Sequence, residues 1–222
     1  MQTLRIVLIF FILLLESNLS SGQDVPVPFV PDKNLPIPYG WKLQMWHGNH
    51  PAIRVEPEGG KGTLHLISND NSFALYHEAE VDLNKTPLLK WEWKVVRLPP
   101  GGDVRNHLSD DQAAQIYVSF PHFPGIFNTD LLGYIWDTLA PKGMEVTSTK
   151  SSKTRYVVVE QGTSQLDEWV TETRNVYNDY LSLFGEVPGS VGGVSVMIDS
   201  DDTASSAESY FRNIRFVPAD NE

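Results

Sequence analysis

The sequence predicts a mainly β fold, a jelly-roll type β-sandwich with one amphipathic helix near residues 167–184. Three observations predict it. Short runs of β-forming residues with period-two alternation recur along the chain. Segments rich in glycine, proline, asparagine and serine separate them, and only one stretch carries strong helical periodicity. The 222 residues are enough for one domain with an ample core.

Taken in chain order, residues 1–22 read as a secretory signal peptide. Arg5 supplies the positive charge, residues 6–15 are apolar, and Ser20, Ser21 and Gly22 offer small residues for cleavage. The apolar run is short for a bilayer and Glu16 ends it, so no stable membrane span is expected after cleavage. The expected location is outside the cytoplasm, periplasmic or secreted. Residues 23–40 contain Pro26, Pro28, Pro31, Pro36 and Pro38, a spacing that opposes helix and favours an extended N-terminal arm. Residues 41–218 then form a single sandwich domain, with strands expected at 41–46, 53–56, 62–68, 73–80, 88–96, 113–120, 133–138, 155–160, 193–198 and 209–217. The connectors "EPEGGKG", "SNDNS", "LPPGGD" and "PGSVGG" are turn chemistry. In "LDEWVTETRNVYNDYLSLFGEVPG", Trp169, Thr173, Val176, Tyr177, Tyr180, Leu181 and Phe184 recur at helical spacing, with Gly185 suited to a C-cap. In the last strand, Phe211 and Phe216 can both point inward only if a bulge intervenes.

Composition narrows the function. The absence of cysteine excludes a disulfide framework, thiolate zinc sites and a cysteine nucleophile. A formal net charge of −11 argues against nucleic acid, which needs clustered lysine and arginine. The six histidines show no zinc-binding spacing, and no G-x-S-x-G elbow is present.

The stretch "SVMIDSDDT" imitates the Asp-x-Asp-x-Thr of haloacid-dehalogenase phosphatases. That chemistry needs the motif on the first strand of a parallel α/β sheet, and here it lies near the C-terminus. The EF-hand loop fails as well, because Ala204 stands where glycine is needed and Tyr210 where glutamate is needed.

Five blocks carry a family resemblance: "PLLKWEWKV", "SDDQAAQIYVSF", "GYIWD", "EWVTETRNVYNDYLSLFGEVPG", and "VMIDSDDT" with "AESYFRNIRF". In their order and spacing the chain resembles the bacterial family called domain of unknown function 3047. The resemblance implies a jelly-roll sandwich similar to galactose-binding-like modules, which often bind glycans and often hold a structural calcium. It implies no established activity.

The candidate metal ligands are carboxylates. Asp110 and Asp111 precede one expected strand, and Asp199, Asp201 and Asp202 follow another. If those strands are antiparallel neighbours, the two groups share one end of the sandwich. Calcium suits such an all-oxygen set, with Arg105 or Arg174 as the cation that would otherwise compensate it; turn-capping is the alternative role for these residues. The candidate ligand-binding residues are Arg105, Tyr134, Trp136, Asp137 and Arg174, since sugar sites combine flat rings with charged hydrogen-bonding groups. No catalytic residue is assigned.

Three functions fit these readings. One is an exported, non-catalytic module binding a glycan or another extracytoplasmic ligand. The others are a hydrolase using paired carboxylates drawn from Glu92, Asp137, Glu160 and Asp199, and a structural envelope protein that docks a partner.

Overall fold

The computed structural model describes residues 23–57, 62–124 and 128–219. The signal-peptide reading of residues 1–22 lies outside the described residues. Among them, two sheets form a β-sandwich. The first runs in the order β11 (Val170–Asn175), β6 (Leu88–Arg97), β13 (Ser206–Val217), β4 (Thr63–Asn69), β3 (Ala52–Glu56), and β1 (Val25–Pro26) adds to β13 as its sixth strand. The second, seven-stranded sheet runs β2 (Trp41–His47), β5 (Ser72–Val81), β12 (Val191–Asp199), β7 (Ala114–Pro121), β8 (Thr129–Asp137), β10 (Thr154–Gln161), β9 (Glu145–Thr147). Its pairs are antiparallel except for β8 with β10, which run parallel. All ten expected strands are present, with ends shifted by no more than four residues.

The expected helix over 167–184 is corrected. Only α1 (Val176–Phe184) is helical, and residues Val170–Asn175 form an edge strand against β6. Val170, Thr171 and Thr173 are β-branched and stiff at χ1, which favours a pleated edge. Asn175 marks the change: its side chain accepts the Asn178 N–H at 3.0 Å as an N-cap. Gly185, at φ 74°, closes the helix with its N–H donated to the Leu181 carbonyl. Val176 and Tyr180 are the residues α1 buries. The helix is tied to the sandwich through Asp179, which accepts from the Tyr134 hydroxyl at 2.9 Å and from Arg174 at 2.6 and 2.9 Å.

Between the sheets, Trp91, Trp93, Tyr134 and Trp136 pack ring against ring, with centroids 5.3 to 5.9 Å apart. Each such ring adds on the order of 2 kcal/mol by burial. The bulge expected in the last strand is present: the β6–β13 register shifts between Arg212 and Arg215, where Asn213 adopts φ 55°. Phe211, Ile214 and Phe216 consequently all face inward. The proline-rich arm packs on the domain, with Phe29 stacked on Trp41 at 4.9 Å and the Trp41 indole N–H donated to the Pro28 carbonyl. No helix among the described residues is long and apolar enough to cross a membrane.

Candidate functional site

The outward face of the seven-stranded sheet is set by register. One rung crosses all seven strands and brings Lys42, Tyr76, Ser195, Tyr117, Gly133, Tyr156 and Val146 side by side. Tyrosines therefore alternate with small residues over the middle of the sheet. The neighbouring rung holds Glu78, Gly193, Ser119, Leu131 and Thr154.

Glycine lets the rings lie against the sheet. A Cβ on Gly193 would come within 2.4 Å of the Tyr76 ring, and one on Gly133 within 2.7 Å of Tyr156 and 3.0 Å of Tyr117. Any side chain at those two positions would lift the rings outward. The Tyr76 hydroxyl donates to the Gly192 carbonyl at 3.1 Å, and the Tyr117 hydroxyl donates to the Gln115 amide oxygen. Burial pushes the Tyr117 and Tyr156 phenols up, so both stay neutral at physiological pH.

A trough results. At one end, Tyr76, Glu78, Ser119, Leu131, Gly192 and Ser195 border an open hollow of about 930 Å³. A middle hollow of about 250 Å³ shares Leu131 and Ser195 with it and adds Trp46, Tyr117 and Tyr156. A third, of about 260 Å³, shares those last three aromatics and reaches Asp110, Asp199 and Asp201. Trp46, 59% exposed, stands at the rim.

The acidic end is built because β7 and β12 are antiparallel neighbours. That pairing brings Asp110 and Asp111 to Asp199, Asp201 and Asp202. Asp111 is fully buried and accepts from the backbone N–H groups of Asp202 and Thr203, at 3.2 and 2.7 Å, and from the Thr203 hydroxyl at 2.6 Å. Asp199 accepts from the Gln112 N–H at 2.6 Å and the Gln115 amide at 2.9 Å. Burial, more than neighbouring charge, raises the carboxyls of Asp199 and Asp201, and pushes Asp110 up to about 6. Ligand oxygens of Asp111, Asp199 and Asp201 lie within 4.8 Å of one another, so this cluster could hold a metal ion.

The compensating cation is Lys150. It pairs with Asp202, and its charge also acts on Asp110 and Asp199. Arg105 and Arg174 do not serve: Arg105 is a bidentate partner of Asp103 two residues away, and Arg174 is held by Asp179. Nor do the expected sugar platforms reach a surface. Tyr134 and Trp136 are at most 1% exposed and belong to the core. Asp137 is fully buried, accepting from the N–H groups of Val104, Leu139 and Ala140 as a loop anchor. The four carboxylates of the paired-acid reading are dispersed as well. Glu92 is paired with Arg212, Glu160 with Lys142, Asp137 anchors its loop, and Asp199 alone borders the trough.

Sequence reasoning missed Tyr76, Tyr117 and Tyr156. The signal was present in "QIYVSF" and "RYVVVE", where apolar residues on both strand faces indicate that the outward face is also covered. It missed a second cluster too, at the opposite end of β7. There His122 lies 2.8 Å from Asp130, and the Tyr180 hydroxyl donates to Asp130 at 2.9 Å with Glu186 at 3.3 Å. His122, Asp130 and Glu186 form the other group that could hold a metal ion.

The family model described as "Protein of unknown function (DUF3047)" matches residues 39–215. The chain belongs to this family. No curated protein sequence matches the DUF3047 chain. Among solved structures, it is similar to the family 30 carbohydrate-binding module of a cellulosomal cellulase of Clostridium thermocellum. The two are 14% identical over 90% of this chain and 99% of that one, with a TM-score of 0.52. A family 11 carbohydrate-binding module of another cellulosomal cellulase of the same organism is 8% identical over 89% of this chain and 95% of that one, with a TM-score of 0.47. At such identities the DUF3047 chain shares a fold with the family 30 module and nothing more is implied.

Proposed function

We propose that this chain is an exported, non-catalytic module, periplasmic or secreted, that binds a glycan in the trough of the seven-stranded sheet. One observation carries the reading: Tyr76, Tyr117 and Tyr156 lie on a single rung, bordered by serine hydroxyls and carboxylates. The half-buried Tyr76 ring and the exposed Trp46 line the trough, and the buried Tyr117 and Tyr156, 8% and 6% exposed, are its floor. Sugars present apolar C–H faces and polar edges, and a surface of flat rings with hydrogen-bonding rims complements both. The fold shared with a carbohydrate-binding module supports this reading.

Calcium enters the same proposal. The donor set of Asp111, Asp199 and Asp201 is all oxygen, as a hard cation requires, and the 201–203 turn fixes Asp111 through its N–H groups. These residues would hold the ion, which would supply positive charge to a buried, self-repelling cluster. A glycan array followed by calorimetric titration tests the main reading. Binding to a polysaccharide that Tyr76→Ala and Trp46→Ala each weaken about tenfold or more is expected. Absence of binding across neutral and acidic glycans would remove it.

A further inference from the structure

The outward face of the six-stranded sheet is a different surface from the trough. Its longest rung places Lys94, Tyr210, His65 and Arg54 side by side, with Trp169 beside Lys94 just ahead of β11. The next rungs hold Thr171, Glu92 and Arg212, then Thr173, Lys90 and Arg215. His65 stacks on Tyr210 at 4.0 Å, nearly coplanar. The Lys94 ammonium lies 4.4 Å from the Tyr210 centroid, and Arg212 lies 3.9 Å from that of Trp169.

Two of the acids on this face are engaged, and a third, the exposed Glu56, lies two positions from Arg54 on β3 and 3.9 Å from His65. Glu92 is bound by Arg212 at 2.8 Å and by Asn213 at 2.6 Å, and Glu208 by His65 at 3.0 Å and Arg97 at 3.5 Å. What remains is positive in balance. No carboxylate among the described residues pairs with Arg54, Lys90 or Lys94, and Arg215 reaches only the exposed Asp24, at 3.9 Å. A chain of net charge −11 thus sets three cations without a carboxylate partner, and Arg215 with a distant one, on one flat face. The Tyr210 ring holds Lys94 in place by cation–π attraction, so little side-chain entropy is lost when an anion meets it.

We propose that this face docks an anionic polysaccharide, one bearing a carboxylate on its sugar units. The spacing favours that partner. Strands lie about 4.8 Å apart and residues rise about 3.4 Å, so Lys94 stands roughly 14 Å from Arg54 across the sheet and roughly 14 Å from Lys90 along β6. Such separated charges suit carboxylates repeated at sugar-length intervals along a flexible polymer. Duplex nucleic acid, with a phosphate every ~1.7 Å, needs a denser cation array than these separated side chains supply. The inference does not depend on the trough reading.

The experiment uses polygalacturonate as the probe, with uncharged dextran and anionic phosphatidylglycerol vesicles as comparisons, in calorimetry and affinity electrophoresis. Polygalacturonate is expected to bind, to weaken as salt is raised, and to lose about tenfold in affinity when Lys94→Gln and Arg54→Gln are combined. Lys90→Gln should weaken it in the same direction, and the thermal midpoint of each variant reports that folding is intact. Tyr76→Ala should leave this binding unchanged, which separates it from the trough. No binding to polygalacturonate, binding that survives the lysine and arginine substitutions, or equal binding to the vesicles would overturn the proposal.

Discussion

On the seven-stranded sheet the central outward positions alternate between tyrosine and glycine or serine, so rings fold down and space is left above them. On the six-stranded sheet the same positions carry long charged side chains that interlock over Trp169 and Tyr210 and fill the surface. Both sheets bury an apolar inner face, so the difference lies in side-chain length on the outer one. Small residues in a central rung create a concavity, whereas arginine and glutamate create a flat lid that stabilises itself. Losing a ring should therefore cost trough binding on the first face and stability on the second.

The largest expected effect is Gly193→Val. Its Cβ would meet the Tyr76 ring at 2.4 Å and the His77 carbonyl oxygen at 2.7 Å. The ring can move but the backbone contact cannot be relieved cheaply, so urea denaturation should register a loss of about 3 kcal/mol, and trough binding should disappear. Next is calcium. A hundredfold excess over its dissociation constant should stabilise the native chain by about 2.7 kcal/mol, read as a rise in thermal midpoint, and Asp201→Asn should abolish that rise. Unchanged midpoints would return these aspartates to turn-capping.

The same cluster gives a pH test. Asp110 has its carboxyl raised from 3.8 to about 6, chiefly by burial, and Asp199 moves in the same direction. Between those pH values the unfolded chain releases protons that the native state retains, so stability should fall as pH rises from about 4 to 6. Asp110→Asn should remove part of this slope. Added calcium should flatten it, because a bound cation favours the ionised carboxylates.

Tyr76→Ala sharpens the comparison from the other side, with glycan affinity down about tenfold while stability changes by about 1 kcal/mol or less. The smallest expected effect is Trp169→Ala. Removing the ring beneath Arg212 and Lys94 should cost about 1 kcal/mol of stability and leave trough binding intact.

Strand positions were legible in the sequence because alternation and turn residues are local signals. The 170–175 segment was not, because Val170, Thr173 and Val176 satisfy helical spacing while their β-branching favours a strand, and only pairing with Trp91 and Trp93 decides between them. The meeting of Asp111 with Asp199 could be framed as a condition on strand pairing, but its cation could not be chosen. Lys150 comes from a loop about forty residues after Asp110 and Asp111 and about fifty before Asp199 to Asp202, and nothing local ties it there. The buried positions of Tyr134 and Trp136 were hidden by chemistry, since their polar tips suit a surface equally well. In the fold those tips are satisfied internally, by Asp179 and the Gly162 carbonyl.

The bulge at Asn213 bears on how this chain can change length. Phe211 and Phe216 are an odd number of positions apart, and the extra residue between them keeps both rings inside. Deleting Asn213 alone would remove the extra residue and leave Phe211 and Phe216 an even number apart, both still inside on a straightened strand. Deleting any other single residue between Ser206 and Arg212 would instead turn one side of the cut inside out. Substitutions along β13 can be absorbed one side chain at a time. A single-residue deletion outside the bulge acts like a frameshift written in three dimensions, and the bulge is the place where the count can change by one with the message preserved.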